Sequence, residues 1–112
     1  MRLFQRLFLL ALLFCGVLPS AINTLADISG SSTTVQLSTS PNTVCRWIQV
    51  IAPSANANAV RFGDSTTSAT KGLPIAPGGG YNTPSCDTCV YPLSGAYVYV
   101  VTGDKASVAC GN

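Results

Sequence analysis

At 112 residues the chain has room for one domain, and apolar side chains make up 47% of it against 9% charged ones. The formal charge of +2 belongs to Arg2 and Arg6, because from residue 27 onward Arg46, Arg61, Lys71 and Lys105 are balanced by Asp27, Asp64, Asp87 and Asp104. A neutral, lightly charged body has no electrostatic footprint for nucleic acid or anionic lipid, which sets both aside as partners.

The N-terminal segment is built differently from the rest. MRLFQR gives a basic start, residues 7–18 an almost unbroken apolar run, and Pro19 and Ser20 then lead into small residues. That order is the pattern of a secretory signal peptide, and the apolar core is short for a helix that spans a bilayer. Thr24 and Ala26 put small residues at both positions a signal peptidase reads, so removal of residues 1–26 is expected. Ala21 marks a second cleavage point, and an uncleaved segment would act as a membrane anchor. Cys15 follows Phe14, where a lipoprotein signal wants a small residue.

Residues 27–32 (DISGSS) are small and polar and read as a flexible leader to a module over 33–112. Val35 and Leu37 alternate with polar residues, which predicts a half-buried strand that Pro41 and Asn42 end. The strongest strand signal is at 47–52, with Ile48, Val50 and Ala52 on one face and Trp47, Gln49 and Ile51 on the other. Val60 and Phe62 flank Arg61 in a third strand. Leu73 and Ile75 alternate with prolines and belong at a sheet edge. A flexible glycine turn at 78–80 leads to a short strand and a long loop carrying Cys86 and Cys89. The stretch 97–101 is a clear strand, and TGDK at 102–105 reads as the turn of a hairpin into 106–110. No stretch sustains a helical period. Six to eight short strands predict an all-β antiparallel sandwich or barrel behind an N-terminal signal helix.

Without Cys15, the cysteines are Cys45, Cys86, Cys89 and Cys110. An even set in a small exported domain reads as disulfides, of which four cysteines allow three connectivities. Cys45 with Cys110 would tie an early strand to the last, leaving Cys86 with Cys89 as a local clasp. The CxxC spacing also suits a redox pair, but no helix follows it; zinc would need more than one CxxC or a histidine.

Residues 27–112 contain neither His nor Glu, which removes Ser-His-Asp and Cys-His nucleophile systems and glutamate acid/base pairs. Asp64 and Asp104 each follow a glycine, where aspartate caps nearby turn amides. No catalytic residue, cofactor or metal site is expected. Trp47, Tyr97 and Tyr99 are the candidates for ligand or partner contact, since flat aromatic faces with a polar rim suit glycan or peptide binding. Tyr97 and Tyr99 share one face of their strand and would be exposed together if Val98 and Val100 face the core.

Several patterns combine in one order: Cys45-x-x-Ile48-x-Val50-x-Ala52, Val60-x-Phe62-Gly63-Asp64-Ser65, Gly72-x-x-Ile75-x-Pro77-Gly78, and Tyr97-Val98 before Gly103-Asp104. In this the chain resembles small β-sandwich accessory proteins of tailed-phage and prophage virions, over about residues 33–110. The resemblance implies a structural, self-assembling or surface-displayed role in a virion or other surface assembly, and it carries no catalytic residue. An export signal departs from virion proteins assembled in the cytoplasm. That leaves an exported bacterial relative or a viral component that meets a membrane. The expectation is an exported, disulfide-stapled, non-enzymatic module at a periplasmic, extracellular or virion surface. The alternative is a secreted carbohydrate- or protein-binding module.

Overall fold

A computed structural model describes residues 22–112; the expected signal helix and Cys15 lie outside the described residues. The described chain is all-β, with eleven strands: β1 (Ile22–Thr24), β2 (Ile28–Ser29), β3 (Thr33–Gln36), β4 (Val44–Cys45), β5 (Trp47–Ile51), β6 (Val60–Gly63), β7 (Leu73–Ile75), β8 (Gly80–Asn82), β9 (Tyr91–Pro92), β10 (Tyr97–Val100) and β11 (Lys105–Gly111). Every pairing is antiparallel. The first sheet runs β1-β11-β5-β8, with β2 also on β11; the second runs β3-β10-β6-β7; β4 and β9 pair separately.

The two sheets face each other in a β-sandwich-like arrangement because alternation gives each strand one apolar face. Ile48, Val50, Ala106 and Val108 from the first sheet and Val60, Ile75, Val98 and Val100 from the second are all buried in one core. The predicted faces of 47–52 are the observed ones, with Ile48, Val50 and Ala52 inward. At one side Phe62 and Tyr81 bridge the sheets, their ring centroids 6.1 Å apart. Among the described residues every buried side-chain polar atom has a hydrogen-bond partner, as a thin core requires.

Three expectations need correction. The strand count exceeds eight because β1, β2, β4 and β9 are two- or three-residue pieces, too short to show alternation. The last two strands are not a hairpin: β10 pairs with β3 and β6, while β11 pairs with β5, β1 and β2. The turn itself forms, with Asp104 N donating to Val101 O at 2.9 Å, and Gly103 takes φ +95°. It carries the chain from one sheet to the other, so that Val98 and Val108 are both buried in the core between the sheets. Last, residues 27–32 are not a free leader. Ile28 and Ser29 pair with Ala106 and Lys105, and Gly30 N donates to Asp104 O.

Pro74 occupies the edge strand β7, as its missing N–H predicts. Alternation of the ladders through β10 and β6 turns residue 74 away from β6, so no sheet hydrogen bond is lost.

Candidate interaction surface

The sequence candidates for contact do not come together. Trp47 lies on the outer face of the first sheet, opposite Gly111 of β11. Its indole rests on that glycine: a Cβ at Gly111 would stand 2.4 Å from the ring. Tyr97 and Tyr99 lie on the outer face of the second sheet, since Val98 and Val100 are buried. They are half-buried rather than exposed as a platform. Tyr97 is flanked by Gln36 and Gly63, Tyr99 by Thr34 and Arg61. The loop 64–72 reaches over β10, for Thr34 Oγ1 on β3 donates to Thr67 O and Thr67 is only 3% exposed. Three aromatics on opposite outer faces cannot form one stacking surface.

Both disulfides pair as expected, Cys45 with Cys110 and Cys86 with Cys89. Such bonds are typical of oxidising, extracellular compartments. The first is buried in the core. The second closes an exposed turn, in which Cys89 N donates to Cys86 O at 3.2 Å. That turn is braced by Arg46 Nη1 donating to Asp87 O at 2.6 Å and by Tyr91 Oη donating to Pro84 O at 2.7 Å. Because an exchanging thiolate needs access to sulfur, mild dithiothreitol should reduce Cys86–Cys89 first. Mass spectrometry with thiol labelling should find label at those two positions while Cys45 and Cys110 stay oxidised. Equal labelling of all four would contradict the difference in burial.

An open apolar cleft of about 240 Å³ is lined by Ile48, Phe62, Thr83, Tyr91 and Ala96. It is smaller than a usual small-molecule site. Among the described residues no three His, Cys, Asp or Glu side chains gather as a metal site would require. No described helix is long and apolar enough to cross a membrane.

The two turn aspartates behave differently. Asp64 caps its own turn, accepting from Thr66 N at 2.8 Å. Asp104 instead reaches a distant loop, accepting from Ala57 N and Asn58 N, both at 2.9 Å. Beside it Asn56 acts as a substitute strand: its Nδ2 donates to Lys105 O at 2.7 Å and its Oδ1 accepts from Lys105 N at 2.9 Å. Sequence reading missed this contact; the turn-like spacing gave no sign of a partner so far along the chain.

The amide of Ala57 holds the Asp104 carboxyl below the ordinary value of 3.8, with Asn58 adding to the effect against partial desolvation. The hydrogen bond of Thr66 lowers Asp64 likewise. A carboxyl lowered in the folded state stabilises the fold above its unfolded value and loses that contribution as pH falls through the folded one. Melting temperature should therefore drop on acidification below about pH 4, and Asp104→Asn should flatten that drop. A pH profile identical to that of the parent protein would show that Asp104 does not contribute.

The sheet edges differ in what they offer. Alternation on β5 makes Val50 and Tyr81 the hydrogen-bonded pair, as Ala52 N to Gly79 O and Thr83 N to Ile48 O require. The backbone groups of Gly80 and Asn82 therefore point to the open edge of β8. Around that edge Ile51, Leu73 and Tyr81 are 40%, 42% and 36% exposed. Leu73 adjoins Phe62 across β6 and β7, and Phe62 contacts Tyr81, so apolar surface runs along this side of the sandwich. By contrast β7 is blunted by Pro74, and β3 is flanked by threonine and glutamine.

No protein family, curated protein or solved structure matches this chain.

Proposed function

We propose that the chain is a non-enzymatic structural module, exported to an oxidising surface, that associates with further copies of itself through the β8 edge. The observation that carries this reading is the coincidence of unpaired backbone at Gly80 and Asn82 with exposed Ile51, Leu73 and Tyr81. An open strand edge is a template for another strand, and one short of charge and proline is unguarded. Two copies of β8 would pair antiparallel about a twofold axis, a self-complementary contact that extends the first sheet from one molecule into the next. Likeness of the strand and turn pattern to virion accessory proteins supports a repetitive assembly, virion or cell surface, as the setting. The two disulfides support an oxidising one.

Light scattering on the purified exported protein tests this. Dimers or larger species are expected, and Leu73→Lys with Asn82→Lys should return them to monomers without loss of fold. A parent protein that stays strictly monomeric at high concentration would overturn the reading.

A further inference from the structure

Residues 22–26 stand between the two candidate cleavage points, and the fold uses them. Leu25 N donates to Val108 O at 2.9 Å, and Asn23 pairs with Cys110. In an antiparallel ladder this makes Val108 and Cys110 the residues whose backbone groups face β1, while those of Ser107, Ala109 and Gly111 face β5. Leu25 also packs its side chain against the core. The segment continues directly into β2, where Ile28 faces Ala106. From Leu25 to Ile28 the chain spends one residue more than β11 does between Val108 and Ala106, so Ala26 and Asp27 form a bulge. Ser107 Oγ donates to Asp27 Oδ1 at 3.1 Å at this point. The Ala26–Asp27 bond, the better match to signal-peptidase preference, thus lies in the middle of a docked edge.

We infer that the signal peptide is cut between Ala21 and Ile22, so that residues 22–26 remain in the mature chain as the strand that closes the β11 edge. This rests on the export reading proposed above. In the step, water adds across the Ala21–Ile22 peptide bond, leaving a carboxylate on Ala21 and a new amine on Ile22. Ala21 supplies the small residue required immediately before the cut, with Pro19 at the other position that the peptidase reads. Cutting after Ala26 instead would remove β1 and the Leu25 contact. It would also unpair the backbone of Val108 and Cys110 beside the buried disulfide, making that part of β11 itself the edge of the sheet. With residues 22–26 kept, β11 is paired on both sides, and the first sheet ends in β8 on one side and in β1 and β2 on the other.

N-terminal sequencing and intact mass of the exported protein, made from the full chain, read the cut directly. The expected product begins at Ile22 with both disulfides formed. Ala21→Gln should hold the chain uncut, while Ala26→Gln should leave the start at Ile22. A product that begins at Asp27, or a chain held uncut by Ala26→Gln and not by Ala21→Gln, would overturn this inference and leave the export reading intact. A full-length, reduced chain retained in the cytoplasm would overturn both.

Discussion

Replacing Cys45 and Cys110 together by alanine is expected to lower folding stability by about 4 kcal/mol and the melting temperature by roughly 20 °C. The bond joins positions 65 residues apart, and closing so long a loop restricts the unfolded chain strongly. It also sits where the core is thin: both cysteines are 1% exposed, and Cys110 pairs with Ile48 on β5. The pair β4–β9 packs beside the two sheets through Cys45, so loss of the bond frees that corner as well. Removing Cys86–Cys89, whose sequence separation is 3, should cost only about 1–2 kcal/mol, because a closed turn gives up little freedom. Thermal melts of the two double mutants separate these cases. Equal losses would mean that loop length and burial do not set the contribution of the bonds.

Gly30→Ala should be nearly as disruptive, by about 2–3 kcal/mol, despite its place in a segment that reads as a mobile leader. A Cβ at Gly30 would stand 1.9 Å from the carbonyl oxygen of Val101 and 2.6 Å from its carbonyl carbon. That carbonyl cannot retreat easily, since it accepts the hydrogen bond of Asp104 N that closes the turn between the sheets. Gly30 N is itself bonded to Asp104 O at 2.8 Å. The relief available is for the segment around Ile28 to lift from β11, which surrenders the Ile28 contact with the core. Urea denaturation gives the loss, and faster amide exchange at Asp104 and Ala106 should accompany it. Parent-like stability would restore the picture of a free leader.

Both cases bear on how much of this fold is readable from residue order. Strands with a sustained period of two, such as 47–51 and 97–100, were legible because alternation places Ile48, Val50, Val98 and Val100 inward whatever their partners. Partners were not legible. The turn at 102–104 has the chemistry of a hairpin, and only the interior's need for Val98 and Val108 from opposite sides decides that it bridges two sheets. Likewise nothing local in DISGSS announces that Ile28 will dock on β11, which lies almost at the other end of the described chain. The cysteine pairing is one of three that the sequence allows, favoured because it ties an early strand to the last, and the edge position of β7 follows from its prolines.

The contact candidates lie apart for a related reason. Tyr97 and Tyr99 do share a face, as their spacing requires, but the loop that reaches across their strand is held by Thr34 on a strand distant in sequence. The open edge of β8 has the opposite history: a three-residue GYN strand carries almost no signal, and its availability depends on which side β5 takes.

The position of β11 also sets a timetable. It is the last strand of the described chain, yet it joins β5 on one side to β1 and β2 on the other. Of all the strand pairs only β6 and β7 are neighbours along the chain, so nearly every contact must wait for distant segments to meet, the condition for slow folding. On the export reading proposed above this order matters, because a ribosome releasing residues one by one cannot complete the first sheet until residues 105–111 have emerged. The arrival of β11 then does two things together, setting the central strand and bringing Cys110 to Cys45.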